Sequence, residues 1–230
     1  MFFVSIVSLL ILSIFADENL YIHEELPANT LLYSMTSLST NILQWLPSSY
    51  IYQSYFFLSR NQSLYTTNHS IDREEFCERK LCNCSQCSIE LNFLETFDMN
   101  NISIRTIRII IEDINDHSPT FKQSIVKLSI AENVPIDYEI PLESAIDHDH
   151  GLFSIQSYQL YPLTNNPFRL RKSSMKPILQ LKEILDREMR SIYQLRLIAF
   201  DGGKPTLSGE QLIEITITEY VRFVFLLLQQ

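Results

Sequence analysis

Residues 113–119 read D-I-N-D-H-S-P, and this stretch decides the fold because it places an oxygen-rich turn directly after a strand pattern. The strand pattern consists of the alternating apolar residues Ile107, Ile109 and Ile111, and alternation with a period of two predicts a half-buried β-strand. Carboxylates and amides spaced this closely suit a hard cation, because calcium takes six to eight oxygen ligands at about 2.3–2.6 Å. The stretch therefore predicts a strand end followed by a calcium site.

Short strand patterns separated by turns make up the rest of the chain. Period-two alternation recurs at residues 125–130, 193–200 and 211–218. Proline and glycine residues fall between these patterns, most clearly in the G-G-K-P turn at 202–205. The sequence favours strands and turns over helices, and strands of this length and spacing predict an all-β sandwich with Greek-key connections.

The two halves of the sequence also repeat each other. The motif I-D-R-E at 71–74 recurs as L-D-R-E at 185–188, and the segment around Glu24 recurs around Glu132. Offsets of roughly 100 to 115 residues predict two copies of one domain of about 100 residues. The join between the copies is expected at residues 113–119.

Targeting signals and charge indicate the compartment. The apolar residues 1–16 are too few to span a membrane and end on Ala16; we interpret them as a cleaved signal peptide, with a buried core helix as the alternative. Sequons predict N-glycosylation at Asn61, Asn68, Asn83 and Asn101. A net charge of -9 argues against nucleic acid and acidic lipid as partners. The scarcity of glycine, four residues in all, argues against phosphate-binding loops.

Several motifs together resemble the cadherins, and within them the protocadherins. They are D-I-N-D-H-S-P at 113–119, A-E-N at 131–133, D-H-D-H-G at 147–151, L-D-R-E at 185–188 and A-F-D-G-G-K-P at 199–205. I-D-R-E-E-F-C at 71–77 is similar to the motif of a protocadherin first repeat. The resemblance implies two tandem seven-stranded Greek-key, immunoglobulin-like sandwiches. The predicted boundaries are 1–16 for the signal peptide, 17–117 and 118–220 for the repeats, and 221–230 for an atypical hydrophobic tail.

The resemblance further implies that calcium occupies the junction between the two repeats. The implied ligands are Glu24, Asp72 and Glu74 from the first repeat, Asp113, Asn115 and Asp116 from the linker, and Asp147, Asp149 and Asp201 from the second repeat. Glu25 replaces Glu24 if the register differs by one residue. His117 and Phe153 stand where the family has asparagine. Because so many carboxylates repel one another without ions, calcium is expected to rigidify the junction.

The two ends of the repeat pair differ from the junction. Residues 35–41 read M-T-S-L-S-T-N and lack the D-x-D motif, so the first repeat is predicted to be the outermost one. Glu132, Asp186 and Glu188 would form half of a second calcium site, but after Ile217 the chain reads T-E-Y-V-R-F-V-F-L-L-L-Q-Q, where a D-x-N-D-N linker and a third repeat are expected. We interpret this as a truncated gene model or an alternative transcript, with a secreted two-repeat form as the alternative.

Four cysteines, Cys77, Cys82, Cys84 and Cys87, lie within eleven residues. Disulfides are the default in a secreted chain, and the resemblance implies a bridge between Cys77 and Cys87. Cys82 and Cys84 then pair elsewhere or stay free, and a zinc site built from all four is the alternative. His148 and His150 flank Asp149 and are interpreted as exposed loop residues, with a zinc or pH-sensing role as the alternative.

These expectations combine into one functional hypothesis. The chain is predicted to be an extracellular cadherin that supports calcium-dependent cell adhesion, with the same protein on an opposing cell as its partner. No arrangement of serine, histidine and aspartate has a nucleophile turn, so no enzymatic activity is expected. Strand exchange through an N-terminal tryptophan is not expected, because the sole tryptophan, Trp45, lies deep in the first repeat. Membrane attachment would require a C-terminal part absent from this sequence; the alternatives are a secreted decoy and a heterophilic binding module.

Overall fold

The computed structural model describes residues 18–34, 42–98, 101–171 and 176–219. The chain divides into two compact units, Met1–Ile114 and Asn115–Gln230. The predicted signal peptide at 1–16, the stretch 35–41 and the tail at 221–230 lie outside the described residues. Within the described part of the chain, no helix combines the length and apolar character needed to cross a membrane.

The first unit is a sandwich of two sheets. Its described strands are β1 Glu18–His23, β2 Leu31–Tyr33, β3 Ile42–Trp45, β4 Phe56–Leu58, β5 Leu64–Thr66, β6 Ser88–Asp98 and β7 Asn101–Glu112. One sheet has the order β1-β7-β6-β3 and the other the order β2-β5-β4. β1 runs parallel to β7, whereas the remaining pairs are antiparallel.

Alternating side chains build the core of this unit. Ile89, Leu91 and Phe93 on β6 point inward, as do the alternating isoleucines of β7, because successive residues of a strand face opposite sides of the sheet. Tyr55 and Phe76 fill the core from outside these strands. Burying such aromatic side chains contributes roughly 1.5–3 kcal/mol each, so strand alternation and aromatic filling together hold the two sheets.

Two short helices interrupt the strands of the first unit. A 3₁₀ helix spans Pro47–Tyr52, and the α-helix α1 spans Arg73–Glu78. Asp72 caps α1, because its side chain accepts a hydrogen bond from the backbone N–H of Glu75 at 2.8 Å. The sequence patterns predicted strands and turns but neither helix.

The second unit repeats the same architecture. Its described strands are β8 Ile125–Ala131, β9 Glu139–Pro141, β10 Ile155–Tyr161, β11 Phe168–Leu170, β12 Ile178–Leu181, β13 Ile192–Asp201 and β14 Ser208–Thr218. The sheets have the orders β10-β13-β14-β8 and β11-β12-β9. β8 runs parallel to β14, as β1 does to β7. The prediction of two seven-stranded all-β sandwiches is confirmed, and the three alternating patterns correspond to β8, β13 and β14.

Candidate metal centre

An acidic cluster lies at one end of the first unit. Glu24 directly follows β1 and Asp113 directly follows β7, and the two are neighbours because the parallel register pairs His23 with Glu112. Glu74 joins them from the first turn of α1. One carboxylate oxygen of each of these three acids lies within 4.8 Å of the others. The fold therefore brings three of the expected ligands together.

Glu24 is the structural centre of this cluster. Its carboxylate accepts hydrogen bonds from the backbone N–H of Arg73 at 2.7 Å and of Ile114 at 2.9 Å. Glu24 is buried, whereas Glu25 is exposed and has a left-handed φ of 54°. The register that assigns Glu24 rather than Glu25 to the cluster is therefore the one the fold supports. Asp72 contributes as the cap of α1.

Arg73 supplies a positive charge inside the cluster. Its guanidinium donates to Glu74 Oε1 at 2.9 Å, lies 3.6 Å from Asp113 Oδ1 and donates to the Cys84 carbonyl at 2.6 Å. Glu74 Oε2 has no hydrogen-bond partner among the described residues. Burial raises the pKa of the Glu74 carboxyl and the charge of Asp113 raises it further, while Arg73 lowers it. A single arginine thus leaves the cluster net negative.

A second acidic cluster lies in the second unit. The bridge between Thr120 and Ile146 places residues 115–119 beside the D-H-D-H loop, and Gly151 closes that loop with a φ of 60°. The acids and amide that contribute to it are Asn115, Asp116, Asp147, Asp149 and Asp201. The fold therefore brings the linker residues and the expected second-repeat ligands of this unit to one place.

His117 connects two acids of this cluster. Its Nδ1 lies 2.7 Å from Asp116 Oδ1 and 3.0 Å from Asp149 Oδ1, and its backbone N–H donates to Asp149 Oδ2 at 3.2 Å. Burial lowers the pKa of His117, but hydrogen bonding and attraction from Asp116, followed by the pull of Asp149, outweigh burial and raise it. The histidine that replaces the family asparagine is thus held between two carboxylates.

The remaining ligand candidates are held by backbone donors. Asp201 accepts from the N–H groups of Gly203 and Leu207 at 3.0 Å. Asp147 Oδ1 accepts from the Asp149 N–H at 3.2 Å. Burial raises the pKa of the Asp147 carboxyl, the Asp149 N–H lowers it, and the charge of Asp201 raises it again.

Asn115 occupies a position that requires glycine opposite it. Its Nδ2 donates to the Pro205 carbonyl at 3.0 Å. A Cβ on Gly203 would collide with the Asn115 carboxamide, so the glycine lets the linker approach the turn closely. Among the described residues, Asn115 Oδ1 and Asp147 Oδ2 are buried without a hydrogen-bond partner.

The two clusters fit a hard divalent cation. Buried polar oxygens are normally hydrogen-bonded, yet Glu74 Oε2, Asn115 Oδ1 and Asp147 Oδ2 lack partners in the described part of the chain. Carboxylate and amide oxygens in this number are the ligands that calcium prefers. Calcium would supply charge neutralisation and a fixed geometry, while the backbone N–H groups around Glu24 and Asp201 orient the ligands.

The far end of the second unit repeats the pattern of the first cluster. Glu132 accepts from the Arg187 N–H at 3.2 Å, as Glu24 accepts from that of Arg73. Asp186 Oδ1 accepts from the Glu188 N–H at 2.9 Å, and the Arg187 guanidinium donates to Glu188 Oε1 at 2.8 Å. The same guanidinium pairs with Glu219, which directly follows β14 as Asp113 follows β7.

The predicted half-site is therefore assembled around Arg187, with Glu219 as a member that the sequence analysis missed. The position of Glu219, one residue past the end of a strand pattern, could have identified it. It was missed because the family pattern has aspartate at this position, whereas this chain has glutamate.

The cysteine pairing differs from the prediction. Cys77 pairs with Cys84 and Cys82 with Cys87, so the expected bridge between Cys77 and Cys87 is wrong. After α1 the chain reverses at Lys80, whose φ is 58°, and this turn brings Cys84 back to the helix. Cys82 packs against the core beside the buried Cys87. Four cysteines allow three pairings, and the family motif carries no information on the extra pair.

The other single-residue predictions fall on the surface or at the core edge. Asn61, Asn68 and Asn83 are exposed, as glycan acceptors must be; the side chain of Asn101 lies outside the described residues. Trp45 is partly buried and packs on Phe93 with ring centroids 4.7 Å apart. Glycosylation at the four sequons stays a prediction.

Comparisons with known proteins agree with this architecture. A family model for the Cadherin domain matches residues 127–218. Protocadherin gamma-A10 of Pan troglodytes is 39% identical over 163 residues, which cover 69% of this chain and 16% of that protein. Protocadherin gamma-B5 of Homo sapiens is 33% identical over 207 residues, which cover 86% of this chain and 22% of that protein. The crystal structure of protocadherin gamma C5 EC1-3 has a TM-score of 0.74 and 28% identity, covering 88% of this chain and 66% of that one.

The chain is a member of the cadherin family, and its two units are cadherin-type sandwiches. Its relatives and structural neighbours place it among the protocadherin-like members of that family. Cadherins are adhesion proteins and not enzymes, which confirms the prediction of a non-enzymatic chain. The chain spans 13% to 22% of the length of the curated relatives it matches.

Proposed function

We propose that this chain mediates calcium-dependent cell adhesion as an extracellular part of a protocadherin-like receptor. The observation that carries the calcium requirement is the set of buried oxygens without hydrogen-bond partners at Glu74, Asn115 and Asp147. Burying a polar oxygen without a partner costs about 1–3 kcal/mol. An ion that these oxygens coordinate removes that cost.

Two groups of residues would hold the calcium ions. The first unit contributes Glu24, Asp72, Glu74 and Asp113, and the second contributes Asn115, Asp116, Asp147, Asp149 and Asp201. Their roles are supported by the matching motifs of the cadherin family. With ions bound, the linker at residues 113–119 would become rigid, and calcium would act mechanically by fixing the orientation of the repeats. The half-site of Glu132, Asp186 and Glu188 would bind calcium when further acids complete it.

The proposed partner is a second copy of the same protein on an opposing cell, and the proposed location is the outer face of the plasma membrane. The protocadherin likeness supports both. The exposed apolar side chains Ile42, Ile102 and Ile104 on the outer face of the four-stranded sheet support a contact surface on the first unit. A heterophilic module and a secreted decoy remain the competing functions.

Bead aggregation tests this function. Beads of two colours, both coated with the chain, are mixed in millimolar calcium or in chelator. Mixed-colour clumps are expected in calcium alone, and Asp116→Ala beads should clump much less because one linker carboxylate is missing. Glu143→Ala removes an exposed acid outside both clusters and should leave clumping unchanged.

Two other results of the bead experiment would contradict parts of the proposal. Clumping that requires beads coated with a different protein would replace the homophilic proposal with the heterophilic one. Equal clumping of coated beads in calcium and in chelator would refute the calcium requirement.

A further inference from the structure

Two histidine side chains lie beside the acidic cluster of the second unit. His117 follows Asp116 in the linker, and His148 lies between Asp147 and Asp149 in the D-H-D-H loop. Their ring centroids are 5.6 Å apart, with the planes inclined by 47°. Calcium prefers oxygen ligands, so the proposed calcium site gives this imidazole pair no role.

The contacts of His117 determine which ring nitrogen is free. Its Nδ1 lies within hydrogen-bond distance of both Asp116 Oδ1 and Asp149 Oδ1. Ionised carboxylates only accept hydrogen bonds, so Nδ1 must carry the proton. In the neutral imidazole the lone pair then belongs to Nε2, which is available to a metal. A histidine that donates one ring N–H to a carboxylate and binds a metal through the other nitrogen is the usual arrangement of zinc ligands.

The separation of the two rings matches a shared ion. Zinc binds imidazole nitrogen at about 2.0–2.1 Å, which places a ring centroid roughly 3 Å from the metal. Two imidazoles at a tetrahedral angle therefore have centroids on the order of 5–6 Å apart, and the observed separation is 5.6 Å. The nearby carboxylates supply negative charge, since Asp116, Asp149 and the His117 ring each have a ligand atom within 4.8 Å of the others.

We propose that His117 and His148 form a binding site for a borderline divalent transition metal, for which Zn²⁺ is the natural probe. His117 binds through Nε2 and is oriented by Asp116 and Asp149, His148 supplies the second nitrogen, and water completes the coordination. Imidazole nitrogen selects zinc over calcium. Because Asp116 and Asp149 are also proposed calcium ligands, and two nearby dications repel each other, zinc and calcium compete at this end of the second unit.

Calorimetric titration of the full chain with zinc chloride, in calcium-free buffer near neutral pH, tests the site. One zinc ion per chain is expected to bind. His117→Asn and His148→Asn should each weaken zinc binding by at least about tenfold. His150→Asn is the matched control, because His150 lies in the same exposed loop. The zinc affinity of this variant should stay close to that of the parent. Cobalt gives a second readout, because its visible absorption reports the coordination geometry around the metal, and the bands of the protein-bound ion should be lost in the same two variants.

Three results would overturn the proposal: unchanged zinc affinity in His117→Asn and His148→Asn, an equal loss in His150→Asn, or, in a chain that binds calcium, zinc affinity that added calcium does not reduce. His117→Asn introduces the family residue and is expected to retain calcium binding. A calcium titration of the same proteins therefore separates the two ideas. Zinc binding that depends on both histidines, without any calcium binding, refutes only the calcium proposal.

Discussion

Glu74 shows how one residue carries the conflict that calcium would resolve. Its side chain is held by Arg73 through one oxygen, while the other oxygen is buried without a partner among the described residues. Burial raises its pKa and the charge of Asp113 adds to the effect. Without bound ions, the folded protein therefore disfavours the charged form of the Glu74 carboxyl.

The substitution Glu74→Gln tests this conflict. In chelator at neutral pH, the variant should be more stable than the parent by on the order of 1 kcal/mol, because a neutral amide removes the disfavoured charge while still accepting from Arg73. In calcium the order should reverse, because the amide is a weaker ligand. Urea unfolding in both conditions measures the two differences. A variant less stable than the parent in chelator would mean that the pair with Arg73 outweighs burial.

The pH dependence of the same pair of proteins follows from the direction of the pKa shift. The folded-state pKa of Glu74 is raised above its ordinary value of 4.5, so folding takes up a proton between the two values. In chelator, the parent should gain stability relative to Glu74→Gln as the pH falls through the folded-state pKa, and the gain should be complete below about 4.5. The difference is informative because Glu24, Asp113 and Arg73 are the same in both proteins.

At the scale of elements, identical letters give different local structures in the two units. D-R-E begins the helix α1 in the first unit, whereas 186–188 in the second unit lie in a loop and turn. α1 is anchored because Phe76 is fully buried and Cys77 is bridged, whereas the position equivalent to Phe76 in the second unit is the exposed Arg190. The four-letter motif predicted the acids but not the helix, since the helix depends on tertiary anchors that follow the motif.

The strands and the site differ in how far the sequence determines them. Period-two alternation is a local signal. It predicted β7, β8, β13 and β14 because every second side chain within the alternating patterns faces the core, and nearly all of these side chains are apolar. Glu24 and Asp113 come together because both follow strand ends whose register is fixed. The Arg73 contacts, the role of Glu219 and the cysteine pairing could not be predicted, because each depends on where a turn places a side chain relative to a distant segment.

The cystine loop gives a prediction at this scale. The two bridges have sequence separations of 7 and 5 residues. In the chain-entropy account, the two bridges should therefore make similar contributions to the free energy of unfolding, roughly 2–3 kcal/mol each. The double substitution Cys82→Ser/Cys87→Ser should cost more than Cys77→Ser/Cys84→Ser, because Cys87 is 1% exposed and Cys84 lies at the surface.

Urea unfolding of both double variants measures the two costs, and peptide mapping of the unreduced parent checks the pairing itself. An equal or greater loss of stability in Cys77→Ser/Cys84→Ser would show that burial of the cysteines does not determine which bridge contributes more to stability. Recovery of a peptide joining Cys77 to Cys87 would contradict the observed pairing.

At the scale of the whole molecule, the two units have separate cores. The buried cluster of the first unit runs from Ile22 to Ile111 and that of the second from Ile130 to Ile217, and none of the described residues belongs to both. Each unit also ends in the same clamp, in which a glutamate accepts from the backbone of the arginine in D-R-E. Repetition of this clamp indicates that the acidic ends belong to the repeat architecture and do not arise from chance surface charge.

Separate cores and acidic ends together predict how calcium changes unfolding. Calorimetry in chelator should resolve two transitions, one for each core, whereas calcium at about 100 times its Kd should add roughly 2.7 kcal/mol. For units of this size that corresponds to an increase in Tm on the order of 10 °C. Asp116→Ala should melt like the parent in chelator, because its partly exposed side chain lies outside both cores, and should lose most of the calcium response.

Glu143→Ala, which removes one exposed acid from the same unit, should keep that response. Identical transitions of the parent in chelator and in calcium would mean that the buried oxygens of Glu74, Asn115 and Asp147 do not bind the ion. A calcium response that survives in Asp116→Ala would mean instead that the ion is held without Asp116. The linker contribution to the proposed sites would then rest on Asp113 and Asn115, and substitution of these two residues would be the next test.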